Sequence, residues 1–149
     1  MFDCGVGGTS GRFALLHHTF LPSQTGNNHW DLMFDQPDGL LTFRLLALPV
    51  PSDPRQGHRV TAVRLPTHRR KYLEYEGPLS GQRGHVQRVA GGTYHAKKQD
   101  LPHQPHVSWQ VDLRSPQLDA TLILPVVSIH QTCLVTAHQW CWHDGTMED

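Results

Sequence analysis

The stretch HWDLMFD, residues 29–35, decides how this chain folds. Alternate residues of a β-strand point to opposite faces, and the even-numbered residues of this stretch are all apolar. The opposite face carries His29 and Asp31, two positions apart. An imidazole and a carboxylate at that spacing can converge on one small target, such as a metal ion. The stretch therefore predicts a strand that buries one face and holds two candidate ligands on the other.

A second strand is predicted just upstream, over residues 12–19, and it contains His17 and His18 near its end. Residues 21–28 include proline, glycine and asparagine, which is typical of a loop that joins two strands as a hairpin. Folding this hairpin brings one of the two histidines beside the strand at 29–35. His17 and His18 face opposite ways, so a register slip of one residue would exchange them.

Short apolar runs and turn signals continue along the rest of the chain. A turn is predicted at residues 36–39 (QPDG) and a hairpin at Gly91-Gly92, while the polar residues 97–106 predict a mobile loop. Further strands are predicted at residues 40–46, 59–65, 72–75, 84–89, 93–96, 107–113, 120–127 and 132–142. Apolar residues nowhere recur at helical spacing over three turns. This pattern predicts an all-β fold, an antiparallel barrel or sandwich.

Size and composition narrow the class of protein. A chain of 149 residues is most simply one domain, and we place this domain at residues 12–149 behind a flexible leader at residues 1–11. The formal net charge is zero, which excludes a global attraction to nucleic acid, so any phosphate binding must come from a local patch. The odd number of cysteines, three, favours a reducing compartment. No apolar run approaches membrane-spanning length and no signal peptide is evident, so a cytoplasmic protein without a membrane partner is expected.

Four blocks of the sequence occur in the order found in one known family. The first is a histidine on one strand followed by His-aromatic-Asp on the next, and the others are residues 39–44, 68–81 and 91–94. Together they resemble the 3′-phosphoesterase domain of bacterial DNA ligase D, from about Phe13 to Tyr94. The resemblance implies an antiparallel β-barrel, here of about eight to ten short strands.

The resemblance also implies a metal centre. It matches His18, His29 and Asp31 to the family's ligands for a divalent metal, with manganese the expected ion and zinc or another transition metal as alternatives. The residues themselves allow a plainer interpretation. With twelve histidines in the chain, spacing alone favours a solvent-facing stripe of His29 and Asp31 on a half-buried strand, and the later blocks shift the preference to the metal site.

A phosphate site is implied by the later blocks. In the family, the residue matching His68 contacts the phosphate and the one matching Tyr72 lies close by. Arg44 ends the second matched block and Arg83 lies two residues after the third, and guanidinium groups bind phosphate oxygens with paired hydrogen bonds. We therefore name these four residues as the candidate catalytic set. The adjacent residues 69–71 are interpreted as a solvated basic run.

The chain departs from the family at two cationic positions. Met33 stands where the family has an arginine, and Leu48-Pro49-Val50 stands where it has a lysine. Arg44 and Arg83 are our candidates to replace the missing charges.

A second candidate metal cluster lies near the C-terminal end. Its members are Cys133, His138, Cys141 and His143, with Cys4 as an additional candidate. The ligand types suit zinc, but the chain has no Cys-x-x-Cys knuckle, and strand spacing spreads these residues over both faces. Packing of Cys133 and Cys141 as small buried groups is the favoured interpretation.

These observations predict a metal-dependent phosphoesterase that removes a 3′ ribonucleotide or 3′-phosphate from DNA ends during repair. Its expected partners are nucleic-acid 3′ ends and a DNA ligase or polymerase of end joining. The alternative is a non-catalytic module on the same fold that binds nucleic-acid ends or docks a repair complex. A third hypothesis is a metal-dependent barrel that acts on another phosphoester or small molecule.

Overall fold

The computed structural model describes residues 2, 8–50, 53, 55–99 and 107–143. This part of the chain forms nine β-strands and one short 3₁₀ helix. The strands are β1 (Thr9–Thr19), β2 (His29–Gln36), β3 (Gly39–Leu45), β4 (His58–His68), β5 (Gly77–Pro78), β6 (His85–Gln99), β7 (Ser108–Arg114), β8 (Leu118–Pro125) and β9 (Thr132–Trp142), and the 3₁₀ helix is Arg70–Leu73. None of the helical structure described here has the length or apolar character needed to cross a membrane.

Eight of the strands close into an antiparallel barrel. Their order is β1-β2-β3-β4-β9-β8-β7-β6, and β6 pairs back with β1. The ninth strand, β5, adds to β6 outside the ring. Closure leaves the eight barrel strands without a free edge that could pair with another chain. The predicted all-β antiparallel barrel is confirmed.

Alternation along the strands separates two apolar clusters. The main cluster fills the barrel and includes Leu32 and Phe34 of β2, which are fully buried, with Trp30 packed against it. A smaller cluster lies on the opposite face of β1, β2 and β3. It consists of Ala14, Leu16, Met33, Leu40, Leu73 and Val86. Both faces of these strands are therefore covered, and the outer cluster supports the candidate site described below.

The strand predicted at residues 72–75 is wrong. The chain instead forms the 3₁₀ helix Arg70–Leu73, whose Leu73 side chain is buried in the outer cluster. Backbone amides of Glu74 and Tyr75 donate to the Lys71 carbonyl. A tight turn satisfies these groups locally, which a strand without a neighbour cannot do.

The hairpin predicted at Gly91-Gly92 is also wrong, because β6 continues through both glycines. A Cβ on Gly91 would lie 1.9 Å from the Arg88 guanidinium, and one on Gly92 would lie 2.2 Å from the Arg114 carbonyl oxygen. The glycines thus permit close approach of neighbouring groups rather than a turn.

Two predicted boundaries shift by a few residues. β1 begins at Thr9, because residues 9–11 pair with β6, so the predicted leader extends three residues too far. The predicted loop at 97–106 loses residues 97–99, which pair with β7. The other leader residues, apart from the buried Phe2 and from Gly8, and the other loop residues lie outside the described part of the chain.

Candidate metal centre and adjoining cavity

The strand register brings the predicted ligands to one place on the outer face of the barrel. In the β1–β2 pair, His18 lies opposite His29 and Leu16 lies opposite Asp31. His17 faces the other way and stacks on Trp30, with ring centroids 4.7 Å apart. The hairpin therefore selects His18 as the third member of the cluster.

Ligand atoms of His18, His29 and Asp31 all lie within 4.8 Å of one another. Nδ1 of His18 is 3.6 Å from Oδ2 of Asp31, and Nε2 of His29 is 3.3 Å from Oδ1. Asp31 and His29 are only 5% and 4% exposed. A donor set of two imidazoles and one carboxylate is one that Mn²⁺, Fe²⁺ and Zn²⁺ accept.

Backbone carbonyls orient both imidazoles. Nε2 of His18 lies 2.6 Å from the Arg83 carbonyl oxygen, and Nδ1 of His29 lies 2.9 Å from the Asn27 carbonyl oxygen. A carbonyl only accepts hydrogen bonds, so these two ring nitrogens carry the protons. The other nitrogen of each ring then directs a lone pair toward Asp31. Metal-binding histidines are oriented in the same way by donating their second ring N–H.

Two buried atoms at the centre of this cluster lack hydrogen-bond partners. Nε2 of His29 and Oδ1 of Asp31 make no hydrogen bond, although they face each other. Burial raises the pKa of Asp31, but His18 and His29 beside it outweigh that effect and lower the pKa well below its usual value. A carboxylate facing two nitrogen lone pairs requires a cation, either a metal ion or the proton of an imidazolium. The three residues therefore fit a divalent metal.

A cavity of about 500 Å³ adjoins the cluster. It is lined by six of the seven predicted site residues, namely His18, Asp31, Arg44, His68, Tyr72 and Arg83. The seventh, His29, is buried beside Asp31 and contacts it. The floor of the cavity is formed by β1, β2 and β3. Its walls are formed by the end of β4, the 3₁₀ helix and the segment around Arg83.

The two predicted cations differ in how they are held. Arg44 lies opposite Asp31 in the β2–β3 register and is half-buried, and its Nε has no hydrogen-bond partner. Arg83 is exposed, and its guanidinium donates to the Ser80 carbonyl at 2.7 Å and to the Ser80 hydroxyl at 3.0 Å. Arg44 thus lines the cavity without a side-chain hydrogen bond at Nε, whereas the Arg83 guanidinium is bound to Ser80.

His68 lies at the end of β4, where the chain turns into the 3₁₀ helix. Its Nδ1 donates to the Pro66 carbonyl at 2.8 Å, and its ring meets the edge of Tyr72 at a centroid distance of 6.1 Å. In the neutral ring this leaves Nε2 as an acceptor, and in the imidazolium as a second donor. Within the predicted basic run, Arg70 is not simply solvated, because its Nε donates to Asp35 at 2.7 Å.

The two positions that depart from the family carry no charge into the cavity. Met33 is fully buried in the outer cluster. Pro49 is buried, Val50 is 53% exposed, and neither lines the cavity. The substitutions therefore leave Arg44 and Arg83 as the arginines that line it.

The candidate zinc cluster near the C-terminal end is not formed among the described residues. His18, His29 and Asp31 are the one group of three such side chains brought together in that part of the chain. Cys133 packs partly buried against the barrel core, and this burial raises its pKa. Cys141 is exposed instead of buried, because it lies on the outer face of β9 opposite Asp119. Cys4 lies outside the described residues.

The lining residues that were not predicted from the sequence include two with aromatic rings, Phe20 and His130. Phe20 stacks on the His18 ring with centroids 4.5 Å apart. A Cβ on Gly26 would lie 2.6 Å from the Phe20 ring, and one on Gly84 would lie 3.0 Å from it. The contacts of these two glycines with Phe20 depend on the fold and leave no local pattern in the sequence. Only the structure therefore identifies Phe20 as a lining residue.

We expect Gly84→Ala to weaken metal binding and lower stability. Gly84 has a φ of +89°, and an added Cβ would lie 2.3 Å from the Thr19 carbonyl oxygen and 3.2 Å from Nε2 of His18. The strain should cost about 1–3 kcal/mol of unfolding free energy, and displacement of His18 should reduce affinity for Mn²⁺. Urea unfolding and Mn²⁺ titration calorimetry measure the two effects.

Gly81→Ala is the matched control for this variant. Gly81 also has positive φ (+71°), but its Cβ would meet only Nε of Arg83, at 3.9 Å. It should lose stability while keeping Mn²⁺ affinity. Equal Mn²⁺ affinity of the two variants would contradict the role given to Gly84.

No protein-family model matches this chain, and no curated protein matches it. What the protein does must then be inferred from the chemistry of its site. Four sequence blocks resemble the ligase D domain, and residues from three of them line the cavity, with Asp31, Arg44 and His68 as examples.

Proposed function

We propose that this protein is a divalent-metal-dependent phosphoesterase that removes a 3′ ribonucleotide or 3′-phosphate from DNA ends, in the manner of the ligase D domain it resembles. One observation carries the proposal. Two imidazoles with assigned tautomers and a buried carboxylate converge beside a cavity that also holds a cation with an uncommitted donor. This combination suits a metal ion and a phosphate group bound side by side.

His18, His29 and Asp31 would hold the metal, with Mn²⁺ as the expected ion. When bound, such an ion supplies Lewis-acid polarisation of a phosphoryl oxygen. Arg44 donates hydrogen bonds to phosphate oxygens and stabilises charge that develops on them. Asp31 would otherwise repel the phosphate, so Arg44, its neighbour across the β2–β3 pair, also offsets that repulsion.

In this proposal His68 exchanges a proton with the substrate. Its Nδ1 is occupied by the Pro66 carbonyl, so Nε2 is the atom that would donate to a phosphate oxygen or to the leaving oxygen. Histidine is the side chain that most readily does this near neutral pH. Tyr72 meets the His68 ring at its edge and so limits the orientations of that ring.

We expect His68→Gln to lower kcat about 100-fold, the lower end of what a positioned proton donor contributes. Mn²⁺ affinity should stay unchanged, because His68 is not a member of the metal cluster. His85→Gln is the control, since His85 is exposed on β6 and does not line the cavity. Steady-state kinetics with a 3′-phosphorylated oligonucleotide measures kcat. A kcat for His68→Gln equal to that of His85→Gln would remove His68 from the mechanism.

The proposal as a whole is tested with primer-templates that end in a 3′ ribonucleotide or a 3′-phosphate. Wild-type protein should release either group when Mn²⁺ is added, and chelation with EDTA should stop the release. Absence of release with Mn²⁺, Zn²⁺ and Co²⁺ would contradict the enzyme proposal.

A non-catalytic module that binds nucleic-acid ends, and docks a ligase or polymerase of end joining, is the second candidate function. The observation that favours it is Met33, which is buried and uncharged where the resembled family has an arginine. Tight binding of 3′-phosphorylated ends without release would support this function.

A further inference from the structure

The cavity reaches well beyond the candidate metal ligands. Asp31, Arg44 and Val63 lie opposite one another across β2, β3 and β4, and the loop between β8 and β9 bonds to Arg64 on the far side. Neighbouring strands lie about 4.8 Å apart, so three spacings place His130 of this loop about 14 Å from Asp31. His130 lines the same cavity as Asp31. A phosphate group bound beside the metal ligands would not extend to His130.

The wall on the side of β4 offers apolar surface. Leu65 and Pro66 line the cavity there, next to Thr67 and His68 of the same strand. A volume of about 500 Å³ is in the range that encloses a ligand of drug size. The far part of the cavity therefore suits a flat, largely apolar group attached to the phosphate.

The backbone holds His130 in position. Its φ is +70°, and its amide donates to the Arg64 carbonyl at 2.6 Å. The Arg64 amide donates to the Gln131 carbonyl at 3.1 Å, and the Arg64 guanidinium donates to the Val127 carbonyl at 2.7 Å. A residue other than glycine at positive φ is uncommon and persists where its surroundings fix it. His130 is thus a preorganised but exposed contact at the edge of the cavity.

We propose that His130, with Leu65 and Pro66, forms a subsite for the nucleoside that carries the scissile phosphate, and that the His130 imidazole packs on its base. The inference rests on the proposed function and adds the residues that contact the nucleoside of its substrate. Stacking of bases on aromatic side chains is tolerant of sequence, because every base has a π-face. The subsite should therefore favour a nucleoside without strongly preferring one base.

The test compares two ligands that differ only in the nucleoside. Methylphosphonate and a nucleoside 3′-methylenephosphonate both resist hydrolysis at the carbon–phosphorus bond, and calorimetry with Mn²⁺ present gives their affinities. The nucleoside should tighten binding about tenfold through stacking. His130→Asn should remove this gain and leave methylphosphonate binding unchanged. Asparagine adopts positive φ readily, so this variant should fold.

Gln82→Asn is the matched control, since Gln82 also has positive φ (+61°), is exposed and lies outside the cavity lining. It should keep the tenfold gain. Equal affinity of the two ligands for the wild type, or an unchanged gain in His130→Asn, would overturn the subsite and leave the proposed function standing. Failure of methylphosphonate itself to bind in the presence of Mn²⁺ would contradict the proposed function, and the subsite with it.

Discussion

Asp31→Asn should abolish metal-dependent release of a 3′ group and weaken Mn²⁺ binding by more than about 100-fold. Even the outer partners of metal ligands are worth 10–100-fold in affinity, and Asp31 supplies the charge of the cluster itself. Its carboxylate oxygens face Nδ1 of His18 and Nε2 of His29 at 3.6 and 3.3 Å. An amide in their place keeps one oxygen ligand but is neutral, so the cluster loses the negative charge that attracts the cation.

The asparagine variant should still fold, which keeps its loss of activity interpretable. The amide N–H₂ can donate to the lone pair of one imidazole, so the buried polar atoms at 31 and 29 gain the hydrogen bond that they lack with aspartate at position 31. Circular dichroism and urea unfolding verify the fold, and calorimetry with MnCl₂ measures affinity.

His17→Gln is the matched control for this experiment. His17 is adjacent to the ligand His18 but faces the opposite side of β1, where it stacks on Trp30. We expect this variant to bind Mn²⁺ and process 3′ ends like the wild type. Wild-type Mn²⁺ affinity in Asp31→Asn, or loss of binding in His17→Gln, would show that the metal lies elsewhere.

Much of the barrel could be predicted from the sequence because strand alternation is a local signal. Residues 29–35 separate an apolar face from a polar one, and the structure buries Leu32 and Phe34 inside the barrel as that pattern requires. The last strand, β9, spans the residues predicted for it, 132–142. In each case the period of two specifies which side chains face inward, whatever the partner strand is.

The parts that could not be predicted depend on groups far apart in the chain. β6 runs straight through Gly91-Gly92 because β1 and β7 pair along its length, and no local rule announces such pairing. The 3₁₀ helix at 70–73 replaces a predicted strand because Leu73 packs on the outer cluster. Tertiary contacts override local preference in both places.

The candidate site also combines features that the local sequence predicts with features that depend on contacts between distant residues. Side-chain type and spacing made His29 and Asp31 candidates, the resemblance favoured them with His18 as metal ligands, and the strand register places His18 rather than His17 beside them. The contribution of Arg83 could not be predicted in this form, since its backbone carbonyl orients His18 while its side chain is bound to Ser80. A backbone contact is independent of side-chain identity, so a sequence carries no sign of it.

Arg44→Met should lower kcat/KM for a 3′-phosphorylated end by about 100- to 1,000-fold, the usual loss when one preorganised donor to a developing oxyanion is removed. Arg44 is half-buried, and its Nε lacks a hydrogen-bond partner. No carboxylate in the described part of the chain lies within ion-pair distance of it. Its charge is therefore available to the substrate. Mn²⁺ affinity should be retained, because Arg44 is not a metal ligand.

Two further substitutions separate charge from geometry. Arg44→Lys keeps the charge but loses the planar pair of donors, so its kcat/KM should lie between those of the wild type and Arg44→Met. Arg59→Met is the control, since Arg59 is exposed on β4 opposite Thr136 and does not line the cavity. It should behave as the wild type.

The comparison with Arg83→Met decides which arginine replaces the charges missing at Met33 and at residues 48–50. The Arg83 guanidinium already donates twice to Ser80, and its carbonyl bond to His18 does not require the side chain. We therefore expect Arg83→Met to reduce kcat/KM less than Arg44→Met does. The reverse order would mean that the substrate draws Arg83 away from Ser80. If both variants kept wild-type turnover and substrate affinity, phosphate neutralisation by these arginines would be wrong, and the end-binding module would become the better account of this fold.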